Sequence, residues 1–273
     1  MREIVVVRGG GDLASGVIQK LHRVGFNVIV TEIEKPNFIR REVCYGEAIY
    51  RGEKELEGSF SIFTESENEI ETAFLNKKIP VIVDPNLEKV RKLQNFDIIA
   101  VIDCIIAKKN MGFKREFPIT IALGPGFYAG KDSDVVIETM RGHNLGKLIF
   151  QGEAFPNTGI PGEIGGEAEK RVIYSPSEGT ICVKKDIGSI VEKNEVIGEI
   201  VSKNGDRTEI KATISGIIRG MIIQNYYVKK NLKIGDIDPR IEELENCYTI
   251  SDKGRALGGA VLEALLILRN RGE

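Results

Sequence analysis

A chain of 273 residues is long for one ordinary domain and comfortable for two. With 42% hydrophobic and 29% charged residues and a net charge of −2, it has the balance of a globular protein with a sizeable core. Acids and bases are interspersed, so no basic face or tail points to nucleic acid or an anionic membrane. Apolar runs such as 98–102 are far too short to span a bilayer. The four cysteines (Cys44, Cys104, Cys182 and Cys247) are scattered and form no CxxC pair. That speaks against a zinc site or a secreted disulfide framework and for a reducing, cytoplasmic setting, as does a start with no signal peptide pattern.

The first predicted element is a buried strand over 3–7, β-branched and followed at once by glycines. Leu13, Val17, Leu21 and Val24 then recur at helical spacing, with Gly25 where a C-cap belongs and a second buried strand over 28–31. Strand, helix and strand in this order predict a parallel βαβ unit. Further strands are expected at 80–83, 98–103 and 119–123. Helices are expected near 67–76, opened by a capping box of Ser66 and Glu69, and near 87–93. The segment 44–50 reads equally as strand or loop. Alternating β and α elements imply an α/β fold with a Rossmann-like doubly wound parallel sheet.

A connector rich in Pro and Gly at 152–166 ends that first domain, placed at 1–165. Beyond it an internal repeat is offset by 37 residues: Gly179 aligns with Gly216, Val191 with Val228, Asn194 with Asn231 and Gly198 with Gly235. Two copies of a small β motif predict a β-sandwich over 170–240, similar to the barrel-sandwich of biotinyl and lipoyl carrier domains. The segment 241–273 is read as a returning C-terminal helix, capped by Ser251, with Leu257, Val261, Leu265 and Leu268 on one face. Gly254, Gly258 and Gly259 weaken such a helix unless another backbone packs close, and the first domain is the expected neighbour.

Chemistry concentrates in the first domain. The turn Gly9, Gly10, Gly11, Asp12 continues into Ala14 and Gly16 and reads G-x-G-x-x-A-x-G. Here Gly9 permits a tight turn, Gly11 a close phosphate, and Ala14 and Gly16 a close helix–sheet approach. A phosphate would rest on the orphan amides of the helix start. Glu32 ends the second strand, placed to accept from an adenosine ribose diol and to repel a 2′-phosphate. NAD or another adenine nucleotide is the cofactor this implies. Asp12 either caps the helix or opposes the phosphate. Gly124 and Gly126 bracket a second turn, which is either an anion nest or a plain tight turn. Asp103 and Lys108 could serve as acid and base or form a structural ion pair, and His143 is a candidate base or ligand contact. Cys104 reads as a buried hydrophobe. No metal site is expected. The third candidate function, a carrier modified on a lysine, would use Lys203 at the hairpin tip, which lacks the methionine neighbours of an attachment site.

Several longer motifs agree in order: RGGGDLASG, then TE with Pro36, Arg40 and Arg41, then Asp103 with Ala107, Lys108 and Asn110. LGPGF, VIET-x-RGH-x-LG, PNTGIPG and ISDKGRALGG-x-VLEA follow. Together they resemble the accessory proteins of selenium-dependent molybdenum hydroxylases, themselves similar in the Rossmann part to XdhC/CoxI-type maturation factors. That resemblance implies an accessory role in maturing such a hydroxylase, with the hydroxylase or its machinery as partner and the molybdenum cofactor or a dinucleotide as ligand. An NAD-dependent oxidoreductase is the alternative function. Whether the chain turns over a substrate, and whether it forms an oligomer, is left open by the residues.

Overall fold

A computed structural model describes residues 1–159 and 166–271. The chain divides into two compact units. The first comprises Met1–Pro36, Cys44–Thr158 and Ile250–Glu273, and the second Asn37–Val43 and Gly159–Thr249. The C-terminal helix thus belongs with the first unit, and Asn37–Val43, read as part of the first domain, belongs with the second. Part of the expected connector, including the end of PNTGIPG, lies outside the described residues.

The first unit opens with β1 (Arg2–Arg8), α1 (Asp12–Arg23) and β2 (Val28–Glu32), and β1 and β2 pair in parallel, Val5 opposite Val28. The undecided segment folds as short 3-10 turns leading to α2 (Ala48–Arg51). Next come β3 (Glu53–Leu56), β4 (Ser59–Phe63), α3 (Glu67–Leu75), β5 (Ile79–Val83), β6 (Phe96–Asp103) and β7 (Thr120–Leu123). Four short strands close the series: β8 (Tyr128–Ala129), β9 (Val135–Ile137), β10 (Leu148–Ile149) and β11 (Gly152–Glu153). The main sheet has nine strands in the order β10-β9-β7-β6-β1-β2-β5-β4-β3. Its interior is parallel, but both edges, β10 on β9 and β3 on β4, are antiparallel. β8 and β11 form a separate ribbon. The central strands are buried on both faces (Ile4, Val6 and Val101 on one, Val5, Val7 and Ile102 on the other, are fully enclosed), which is why they read as continuous apolar runs.

The second unit holds β12 (Val172–Tyr174), β13 (Gly179–Val183), β14 (Ile190–Val191), β15 (Val196–Val201), β16 (Arg207–Lys211), β17 (Gly216–Met221), β18 (Tyr227–Val228) and β19 (Lys233–Asp238). They form two four-stranded antiparallel sheets, β12-β19-β17-β14 and β16-β15-β13-β18, around an isoleucine-rich core. The 37-residue repeat is visible in the backbone. Gly179 and Gly216 share φ values of +154° and +152°, and a Cβ on either would fall within 2.3 Å of a carbonyl oxygen, that of Val201 or Asp238. Asn194 and Asn231 share a left-handed φ of 70° and 66°.

The expected fold class is therefore corrected. In place of a Rossmann-like doubly wound sheet with a biotinyl- or lipoyl-like sandwich, the chain builds a large mixed nine-stranded sheet and smaller antiparallel ones. A doubly wound sheet needs a helix at each crossover, but β6 to β7 and β7 to β9 are joined without one, and the helix expected near 87–93 is a single 3-10 turn, Val90–Lys92. The carrier-domain likeness rested on glycine spacing, and here Gly179, Gly198, Gly216 and Gly235 lie in strands, where each lets a neighbouring segment approach closely. The helix α4 (Asp252–Asn270) ends the chain, with Ser251 Oγ accepting from Gly254 N at 3.1 Å.

Candidate functional site

The candidate residues gather at the carboxyl edge of the parallel strands, where β1 feeds α1. Gly9 adopts φ +99°, a conformation L side chains rarely adopt, while its amide donates to Thr31 O at 2.8 Å. A Cβ on Gly9 would stand 3.1 Å from Ile105 N, and one on Gly10 would stand 2.8 Å from Gly46 Cα. Gly46 N donates to Gly10 O, and Tyr45 N donates to Ser15 Oγ at 3.0 Å. Gly9 and Gly10 thus admit this chain's own loops. Gly11 is the N-cap of α1, and no side chain caps the helix there. Asp12, one of whose readings was the cap, is instead the first helical residue, and its Oδ1 accepts from Leu13 N at 2.8 Å. Ala14 is buried. Gly16, by contrast, does not serve the sheet: a Cβ on it would lie 2.2 Å from Gly254 O in α4.

Glu32 turns its carboxylate toward the turn. Its Oε1 accepts from Gly10 N at 2.8 Å and its Oε2 from Ile33 N at 2.9 Å. Burial raises its pKa above the ordinary carboxylate value, and the two backbone donors pull it back.

Asp103 forms the structural ion pair that was one of its readings, and the partner is Arg8 (Nη1 to Oδ2, 2.9 Å) rather than Lys108. Arg8 also donates to Pro85 O at 3.0 Å and Met111 O at 2.8 Å, so one buried guanidinium ties together the loops after β5 and β6. Burial raises the Asp103 carboxyl even with Arg8 beside it, and pushes the Cys104 thiol well up, as suits an inert thiol. Lys108 is exposed at φ 64°, two residues after Ile106 at φ 55°. The Gly124–Gly126 turn serves packing. A Cβ on Gly124 would meet Thr139 Oγ1 at 2.7 Å, and one on Gly126 would meet Lys109 Cα at 2.5 Å. His143 is exposed on the loop after β9.

Three residues at this edge were not singled out. Arg8 is one, hidden because its partner lies 95 positions away. Glu138, buried at the end of β9, accepts from Met140 N and Phe155 N, each at 2.7 Å. Beside it a cavity of about 400 Å³ is lined by Glu138, Asn144, Lys147, Phe150 and Phe155 among others. Lys253, in the first turn of α4, is half-buried. Burial lowers its pKa and Arg141 adds to this, while Asp12, Glu138 and Asp252 raise it. A lysine just after a helix N-cap, against the preference of the dipole for acids, was the signal available in sequence. Among the described residues, no group of three or more His, Cys, Asp and Glu is arranged to hold a metal ion, and no helix is long and apolar enough to cross a membrane.

No protein-family model matches the chain. It is similar to "Uncharacterized protein YqeB" of Escherichia coli K12, 43% identical over 271 residues. That match covers 99% of this chain and 48% of the relative, so the chain spans about half the length of the curated relative it matches. Among solved structures it is similar to an aspartoacylase family protein from Mesorhizobium loti, with 12% identity, a TM-score of 0.30, and coverage of 86% of this chain and 84% of that one. A succinylglutamate desuccinylase from Silicibacter sp. TM1040 is similar at 10% identity and a TM-score of 0.27, covering 86% and 84%. At these TM-scores the likeness assigns no residue and no reaction to this chain. Solved structures similar to the chain thus include desuccinylase and aspartoacylase proteins, and the expected kinship with molybdenum hydroxylase accessory proteins and XdhC/CoxI-type factors is corrected to that likeness, which carries no function to this chain. The expected maturation role is corrected with it. Of the residues expected to carry catalysis, Asp103 is held by Arg8, while Lys108 and His143 stand on exposed loops. Lys203 lies exposed in the turn between β15 and β16, its amine 5.8 Å from the Tyr227 ring centroid.

Proposed function

We propose that the first unit binds an adenine nucleotide, with phosphate on the first turn of α1 and the ribose diol on Glu32. The observation that carries this reading is the start of α1. It opens at Gly11 without a side-chain cap, at the carboxyl end of β1, beside a carboxylate ending the neighbouring strand. The first amides of such a helix lack intrahelical acceptors and favour an anion. The residues fit with two qualifications: the space beside Gly9 and Gly10 is taken by backbone, so the phosphate belongs at Gly11 and beyond, and Leu13 N is already bonded to Asp12 Oδ1, leaving the neighbouring amides of the first turn. The charge of Asp12 is opposed by Lys253, whose amine it attracts. Each Glu32 oxygen accepts one bond and keeps a second lone pair, so the carboxylate can still receive a diol.

Gly11 has φ −71°, open to any residue, so Gly11→Val should fold while placing a branched side chain where the phosphate sits. Calorimetric titration with NAD and ADP should show affinity falling at least tenfold in this variant. Unchanged affinity, or a wild-type chain that binds neither, would reject the reading. NAD should also bind more tightly than NADP, by about tenfold, because a carboxylate and a 2′-phosphate a few Å apart repel by about 1–4 kcal/mol. The preference depends on ionised Glu32, so it should fade as pH falls through that group's raised pKa. A tighter NADP complex at neutral pH would remove Glu32 from the site.

A further inference from the structure

In the second unit, Arg219 is a half-buried arginine whose Nε is fully enclosed and finds no acceptor among the described residues. Two carboxylates stand near it, Asp236 and Asp238, and both are already bound to other arginines. Asp236 is paired with Arg171, and Asp238 takes Arg240 in a two-pronged pair at 2.9 and 2.8 Å. A further arginine, Arg40, is buried beside Arg219, its Nη2 donating to Asn246 O at 2.9 Å. Burial, and then the neighbouring Arg40 and Arg171, lower the Arg219 pKa, while Asp236 and Asp238 raise it.

The backbone at this position is built differently from its counterpart in the repeat. In the first copy, β13 and β15 pair without interruption, Ile181 with Ile200 and Cys182 with Glu199. In the second copy, Ile218 pairs with Ile237 but Gly220 pairs with Asp236, leaving Arg219 as the extra residue of a β-bulge. Bulges re-aim a side chain and recur beside functional sites. Next to it, Gly220 is held by the Asn37–Val43 strap. A Cβ there would stand 2.9 Å from Ile39 O, and Met221 N donates to that same oxygen at 2.8 Å. The register of one repeat copy is thus broken at the residue whose Nε is left without an acceptor.

We propose that Arg219, with Arg40 and Arg171 around it, forms a site for a small tetrahedral oxyanion of the phosphate class. A guanidinium carries five donors in a planar fork that matches such an anion, and an enclosed Nε–H without an acceptor costs free energy that the anion would recover. The ligand is either free phosphate or the phosphate group of a phosphomonoester.

The test is thermal unfolding of the full chain with inorganic phosphate or ribose 5-phosphate at constant ionic strength. Wild type and Gly11→Val are compared, so that binding at α1 is separated from binding at Arg219. The unfolding midpoint should rise in both, by roughly 5 °C at a hundredfold excess over the dissociation constant. The ligand giving the larger rise identifies the source. Arg219→Met should fold, because an apolar isostere replaces an uncompensated guanidinium, and should lose the response. Arg219→Lys, retaining charge without the fork, should keep a reduced one. An undiminished rise in Arg219→Met, or no rise in either background, would overturn the site. Higher stability of Arg219→Met with no phosphate response in wild type would mean that the cluster is structural only.

Discussion

Gly16→Ala should destabilise the first unit severely, despite adding one methyl group to a helix. A Cβ at position 16 would lie 2.2 Å from Gly254 O and 2.4 Å from its carbonyl carbon, and these atoms are backbone, with no rotamer that could move aside. The reciprocal contact is as tight, since a Cβ on Gly258 would fall 2.4 Å from Gly16 O. Separating α1 from α4 would expose Val17, Leu257 and Val261, all fully buried. The loss should therefore exceed the roughly 1–3 kcal/mol typical of overpacking, even after the gain of about 1 kcal/mol in helix propensity. Gly259→Ala is the internal control. It lies on the same helix, is exposed, and a Cβ there meets nothing within 4 Å, so it should stabilise by about 0.5–1 kcal/mol. Urea unfolding of the two variants checks both signs, and a mild effect of Gly16→Ala would mean that the helices can slide apart.

The same three glycines show how far the sequence could be read. Gly254, Gly258 and Gly259 all suggested a close neighbour, yet only the first two, one helical turn apart, meet α1. Helical period would have separated them, because Gly259 falls off that stripe. Local signals were legible: Ser66 Oγ accepts from Glu69 N and Glu69 Oε2 from Ser66 N, each at 3.3 Å, as the capping box required. What escaped depends on partners distant in sequence. The segment 44–50 has no clear period because its fold is set by Gly46 and Tyr45 binding the β1–α1 turn. Strands β3 and β4 were not predicted at all, since β3 is a largely exposed edge without an apolar run. The bulge at Arg219 is invisible in sequence, because the 37-residue spacing is kept on both sides of it.

Asp103→Ala should cost more than the loss of a salt bridge suggests, because of what it leaves behind. Arg8 and Asp103 face each other across the β1–β6 pair with side chains only 7% and 2% exposed, so removing the acid strands a buried guanidinium. Breaking a buried pair from one side typically costs about 3–5 kcal/mol. The same guanidinium holds Pro85 O and Met111 O, so the loops after β5 and β6 should loosen together, seen as faster amide exchange across residues 84–87 and 104–112. Replacing both partners by apolar residues, Arg8→Met with Asp103→Leu, removes the uncompensated charge and should recover most of the stability. The double-mutant cycle should therefore show strong coupling. A catalytic Asp103 would behave otherwise: its alanine variant would stay near wild-type stability, and the second substitution would restore nothing. Additive losses in the cycle would show that the pair is not the clamp its geometry describes.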